Sequence, residues 1–106
     1  MSERVTVIAR AVAKPGKEFE TRGALLALVA PTLKEKGCIN YDLHQDLDDP
    51  RIFFFHENWE SRALLDEHMQ RPHIQAFLAR VDELLSEPPE IRVLRRLLAP
   101  EEQSRQ

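Results

Sequence analysis

Residues 38–59 read CINYDLHQDLDDPRIFFFHENW, and this stretch decides the fold. Its first part, 38–47, alternates: Ile39, Tyr41 and Leu43 point one way, while Asn40, Asp42 and His44 point the other. That period of two belongs to a strand with one buried face. Asp48-Asp49-Pro50 carries turn chemistry, because Asp side chains bond nearby backbone and Pro presets its own φ. IFFFHENW (52–59) then reads as a second strand, with Phe53, Phe55, Glu57 and Trp59 on one face. Two strands joined by so short a turn pair antiparallel.

Upstream, RVTVIARAVA (4–13) is β-branched and small, and it runs into Lys14-Pro15-Gly16: a strand ended by a turn, apolar on both faces. Between Lys17 and Lys36 the period changes to three and four. Phe19, Leu25, Leu26, Val29 and Leu33 form the apolar stripe of a predicted helix, with Glu18, Glu20, Arg22 and Lys34 opposite. Lys34 and Lys36 suit the negative end of its dipole, Gly37 suits the C′ position, and Pro31 predicts a kink or a shortened last segment. Downstream, Ser61 is placed to cap a short helix bearing Leu64, Leu65, His68 and Met69. Pro72 opens a further helical stretch with Ile74, Phe77, Leu78, Val81, Leu84 and Leu85 as its stripe. Pro88-Pro89 ends it, and IRVLRRLL (91–98) reads as the last strand.

The order β-α-β-β-α-β is the ferredoxin-like arrangement, an α+β fold with a four-stranded antiparallel sheet and helices on one face. The other face is expected to carry Val, Leu, Phe and Trp side chains. An uncovered apolar face of that size predicts a homodimer in which two sheets bury each other. At 106 residues the chain fits one domain, placed at 1–100, with a tail at 101–106. With 42% hydrophobic and 31% charged residues the balance is globular, and a net charge of −3 argues against a nucleic-acid partner. Cys38 is the lone cysteine, so no internal disulfide forms, and MSERVTVIAR has no apolar leader core. No stretch approaches membrane-spanning length. The expectation is a cytoplasmic protein with no membrane partner.

Four segments carry a family likeness: Lys14-Pro15-Gly16-Lys17, KGCINYDLHQD (36–46), ENWES (57–61) and HMQRPH (68–73). In this order and spacing, over residues 4–98, they resemble the antibiotic-biosynthesis monooxygenase family, including its quinol monooxygenases. The resemblance implies a dimeric α+β barrel with each pocket between the sheet and the second helical region. The reaction is less constrained, because the family also holds polyketide oxygenases, haem-degrading members and an isomerase of a phosphorylated quorum signal. Haem-degrading relatives place an iron-ligating histidine where this chain has Leu78, and leucine cannot ligate iron.

No GxGxxG, P-loop, HExxH or CxxC is present, so no cofactor is expected. His68 and His73 are five apart across a helix break, with no carboxylate or third histidine in sequence to complete a set, so no metal is expected. Oxygenation without a cofactor needs an apolar pocket, a base that makes the phenolate, and donors that hold the oxyanion. His68, one turn after Leu64, is the candidate catalytic base, against a plain role as a half-buried, hydrogen-bonded histidine. Trp59 is either core or, as the resemblance suggests, a stacking platform for substrate. Glu57 shares its face and is either a buried base or one half of an ion pair. His73 and His44 complete the candidate substrate contacts, each with a local or solvent-exposed role as its rival. His56 points away from Glu57 and Trp59, and Cys38 reads as a small apolar filler. The expectation is a cofactor-independent monooxygenase of a quinol or small hydroxylated aromatic, using molecular oxygen. The alternatives are an acid–base isomerase of a small phosphorylated carbonyl compound and a non-catalytic ligand-binding dimer.

Overall fold

A computed structural model of the chain describes residues 3–97. The elements are β1 (Val5–Val12), α1 (Glu18–Leu26), α2 (Val29–Leu33), β2 (Cys38–Gln45), β3 (Ile52–Trp59), α3 (Arg62–Met69), α4 (Pro72–Leu78), α5 (Val81–Leu84) and β4 (Glu90–Leu94). The sheet order is β2-β3-β1-β4, with every pair antiparallel, the ferredoxin-like topology. The last strand, expected over 91–98, starts one residue earlier and ends at Leu94, with 95–97 outside it; residue 98 and the tail at 101–106 fall beyond the described residues. Among the described residues no helix is long and apolar enough to cross a membrane.

The β2–β3 hairpin forms as its turn chemistry dictates. The Asp46 carboxylate accepts from the backbone N–H of Asp48 and Asp49, both at 2.9 Å, and Asp49 accepts from Arg51 N–H at 3.0 Å. Pairing sets Tyr41 opposite Glu57 and Leu43 opposite Phe55. One residue departs from the expected alternation. The register slips between Cys38 and Asn40, so Ile39 is the extra residue of a bulge and stands exposed, while Cys38 pairs with Trp59.

The helical half required more correction. The expected single helix over 17–36 is two, broken at Ala27–Leu28 because Pro31 has no N–H to return to the Ala27 carbonyl. Its buried stripe is Thr21, Leu25, Leu28 and Thr32, whereas Phe19, Leu26 and Leu33 are 81%, 51% and 53% exposed. Two threonines face inward because each finds a partner: Thr21 donates to the Leu84 carbonyl at 3.4 Å and Thr32 meets His73 at 3.2 Å. The second helical region likewise divides into α4 and α5, with Pro72 at the first position of α4.

Ser61 caps α3 by accepting the Leu64 N–H at 3.2 Å, and that cap points Leu65 and His68 into the core. Gly37, at φ +88°, turns the chain into β2 directly beneath α3. A Cβ there would lie 2.9 Å from the Leu64 Cβ, so only glycine lets the two segments approach. The core lies between the sheet and the helices, and Trp59, Phe53, Val7 and Leu84 are its most enclosed members. Full burial of such a side chain contributes about 1.5–3 kcal/mol. Trp59, expected on the open face, therefore belongs to the covered one. The open face mixes Ile8, Val12, Ile52, Phe54 and Leu94 with Thr6, Arg10, His44, His56 and Asn58.

Candidate active site

A narrow cavity of about 60 Å³ runs between the covered sheet face and the helices. Its walls are apolar, with Leu25, Leu28, Phe53, Phe55, Phe77 and Leu78 among them. Three polar side chains reach its inner part: Tyr41 from β2, Glu57 from β3 and His68 from α3. Strand alternation supplies the first two and the capped helix supplies the third. Arg10 borders the cavity from β1, while its side chain belongs to the open face of the sheet and pairs with Glu87 at 2.9 Å.

His68 is 2% exposed. Its Nδ1 lies 2.9 Å from Glu35 Oε2. A carboxylate only accepts, so Nδ1 carries the proton and Nε2 keeps its lone pair. Among the described residues no hydrogen bond engages Nε2. Trp59 packs its ring on the imidazole at a centroid distance of 4.5 Å, and Tyr41 meets it edge-on at 5.5 Å. Burial holds the His68 pKa below the ordinary histidine value, against the opposing pull of Glu35. A neutral, oriented imidazole at the edge of an apolar cavity follows.

Glu57, 4% exposed, is the carboxyl group that lines the cavity. Burial pushes it up to about 7; the hydrogen bond from Trp59 opposes that rise, and the Glu35 charge adds to it. Trp59 Nε1–H donates to its Oε1 at 2.9 Å, leaving Oε2 for another partner. Near neutrality a large share of Glu57 is a neutral acid and a hydrogen-bond donor. Burial also raises Tyr41, with Thr32 opposing by a hydrogen bond, so Tyr41 stays a phenol. The same effect lifts Cys38 to about 11, which keeps it a thiol, in line with a filler role.

Of the residues singled out in sequence, His68 and Glu57 line the cavity, and Trp59 stands behind both, holding one and packing the other. His73 lies on the far side of Glu35, its Nε2 2.8 Å from the same Oε2, at the wall of a separate shallow groove between α1 and α4. His44 is exposed on the opposite face of the sheet, beside Phe54 in register, and does not join this group. His56 shares that face. Leu78 is in the cavity wall.

Sequence reasoning missed Glu35, Tyr41 and Thr32. Glu35 left a trace. It is an acid just past the end of α2, where the helix dipole favours cations, and its neighbours Lys34 and Lys36 obey that rule. Its tertiary partners explain the exception: His68, His73 and, at 3.6 Å from Oε1, Arg71. The expectation that no carboxylate completes a set with the two histidines is corrected by this arrangement. Glu35, His68 and His73 each offer a ligand atom, all within 4.8 Å of one another.

Residues 4–80 match the model of the family described as antibiotic biosynthesis monooxygenase. The chain is 39% identical over 94 residues to the putative monooxygenase Rv0793 of Mycobacterium tuberculosis, covering 89% of this chain and 92% of that protein. It is 36% identical over 85 residues to the probable quinol monooxygenase YgiN of Escherichia coli, covering 69% of this chain and 80% of that one. Among solved structures, PA3566 from Pseudomonas aeruginosa superposes with a TM-score of 0.86 at 39% identity, over 92% of this chain and 98% of that one. The Rv0793 crystal structure gives 0.86 at 37% identity, over 92% and 99%. With the family model matched over most of its length, the chain is a member of the antibiotic biosynthesis monooxygenase family.

Proposed function

We propose that this protein is a cofactor-independent monooxygenase of a quinol or small hydroxylated aromatic, working as a homodimer, with His68 as base. One observation carries the reading. His68, held through Nδ1 by Glu35, presents an unengaged Nε2 at an apolar cavity. A phenol or quinol proton passes to Nε2, and the resulting anion reduces oxygen far more readily than the neutral form does. Oxygen adds at a ring CH carbon in its keto tautomer, and the O–O bond then breaks. That carbon loses its remaining hydrogen as a proton and becomes C=O, and the second oxygen leaves as water, carrying the proton returned by His68 and the one lost from the carbon. Neutral Glu57 is placed to donate to the developing oxyanion. Trp59 positions both groups rather than touching substrate.

The cavity as folded has room for only a few water molecules. Substrate entry therefore displaces side chains of the wall, with the flexible Met69 the easiest to move. The names of the relatives Rv0793 and YgiN support monooxygenation. The homodimer rests on the apolar share of the open sheet face. Light scattering should return about twice the 12.3 kDa chain mass, and Phe54→Asp should halve it.

An acid and a base facing one cavity also suit proton transfer within a carbonyl compound, the second reading. Its phosphorylated version lacks support, since among the described residues Arg10 is the one Lys or Arg lining the cavity, and it is already paired with Glu87. Oxygen-electrode traces with hydroquinones and anthrones across pH separate the two. Oxygen uptake should fall as pH rises through about 7, where Glu57 loses its proton. Glu57→Gln should abolish that falling limb. No uptake across the panel, with isomerisation of a small ketone instead, would overturn the oxygenase reading.

A further inference from the structure

Behind the cavity, two imidazoles converge on one carboxylate oxygen. His68 Nδ1 and His73 Nε2 lie 2.9 and 2.8 Å from Glu35 Oε2, whereas among the described residues Oε1 has only Arg71 at 3.6 Å. A buried carboxylate satisfied by hydrogen bonds alone gains more by spreading its donors over both oxygens. Crowding both rings on one oxygen gathers three ligand atoms around a single point. The Thr32 hydroxyl, 3.2 Å from His73 Nε2, adds a fourth donor. We propose that Glu35, His68 and His73 form a binding site for a divalent transition-metal ion of the zinc class.

The dimensions suit such an ion. Ligand atoms about 2.0–2.1 Å from zinc at tetrahedral angles stand about 3.3 Å apart, so each nitrogen withdraws a few tenths of an ångström from Oε2, and the two nitrogens, within 4.8 Å of each other, close toward that spacing by rotation of the partly exposed His73 ring. Two imidazoles and a carboxylate select Zn²⁺, Co²⁺ or Ni²⁺ over the oxygen-loving Mg²⁺ and Ca²⁺. Glu35 supplies the compensating charge. The guanidinium of Arg71 opposes the ion, but this side chain is half exposed and free to swing into water. Entry lies on the side of His73, whose side chain is also the most exposed of the three ligands.

Occupancy has a chemical consequence. An ion on Nδ1 forces the His68 proton onto Nε2, which removes the lone pair at the cavity. The metal-loaded protein then lacks its base; that consequence rests on the function proposed above, whereas the binding site does not.

Calorimetry of tag-free protein with Zn²⁺, in the absence of substrate, reads binding alone. Wild type should bind one equivalent per chain, and Co²⁺ should give visible bands of a nitrogen–oxygen site. His73→Ala should weaken binding by about a hundredfold or more, whereas His44→Ala and His56→Ala should leave it unchanged. Glu35→Gln should match His73→Ala; if that buried change unfolds the chain, His73→Ala carries the test, because His73 is partly exposed. No saturable one-to-one binding, or binding that survives in His73→Ala, overturns the proposal. Binding intact in a protein that oxidises no phenol would leave the site standing and remove the oxygenase reading instead.

Discussion

The two faces of the sheet are built from the same strands, yet alternate residues give them opposite character. On β3, Phe53, Phe55, Glu57 and Trp59 turn toward the helices and are buried, while Ile52, Phe54, His56 and Asn58 between them turn away. The covered face encloses a cavity with a buried acid and an oriented histidine. The other presents a polar lattice: Thr6 donates to Asn58 at 2.6 Å, and Asn58 donates to Asn40 at 2.7 Å. A period of two thus separates the candidate site from the open face within a few ångströms. Burial perturbs Glu57 on one face, and the adjacent His56 on the other has no part in the cavity.

The sharpest way to break this contrast is to remove one histidine from each side. His68→Ala should lower kcat by about a hundredfold or more, the usual scale for a general base. His44→Ala, on the open face, should stay within about twofold of wild type. Steady-state oxygen uptake on both variants decides it. Equal effects would mean that the reaction does not use the covered face.

A smaller effect should appear in stability. Glu57 titrates near 7 when folded against 4.5 in its ordinary state, because burial disfavours its charge. Its folded pKa is raised, so its contribution is fully present below pH 4.5 and is lost as pH rises through about 7. At about 1.4 kcal/mol for each pH unit between those values, ionisation costs about 3 kcal/mol by pH 8.5. Glu57→Gln has no charge to form. Urea unfolding should therefore find the variant more stable than wild type at pH 8.5, with the advantage gone at pH 4.5. A constant difference at both pH values would mean that Glu57 is not held neutral by burial.

These expectations rest on features that differed in how legible they were. The hairpin could be read because Asp48, Asp49 and Pro50 carry local turn chemistry, although Asp46, which accepts from the turn, falls within the expected strand; the strands could be read because one face of each is apolar. Ser61 and Pro72 announced their helix starts for equally local reasons. His68 stood out because it lies one turn from Leu64 on a buried stripe. The inner face of α1 and α2 was misread because Thr21 and Thr32 are buried through distant partners, while Phe19, Leu26 and Leu33 remain in water. Glu35 escaped for the same reason, since His68 and His73 are 33 and 38 residues away. Periodicity reports apolar burial; it is blind to polar groups that the tertiary fold satisfies.

The smallest effect should come from the polar lattice of the open face. Asn58→Ala deletes the acceptor of Thr6 and the donor to Asn40, two part-buried hydrogen bonds. Each such bond contributes about 1 kcal/mol net, and water reaching this face replaces part of the loss. Unfolding free energy should fall by about 1–2 kcal/mol, with kcat unchanged, because Asn58 points away from the cavity. The proposed dimer adds a second readout. If two copies pair through this face, the variant's melting temperature should become more dependent on protein concentration than that of wild type. Loss of activity at unchanged stability would show instead that the open face reaches the chemistry, and the separation drawn between the two faces would fail.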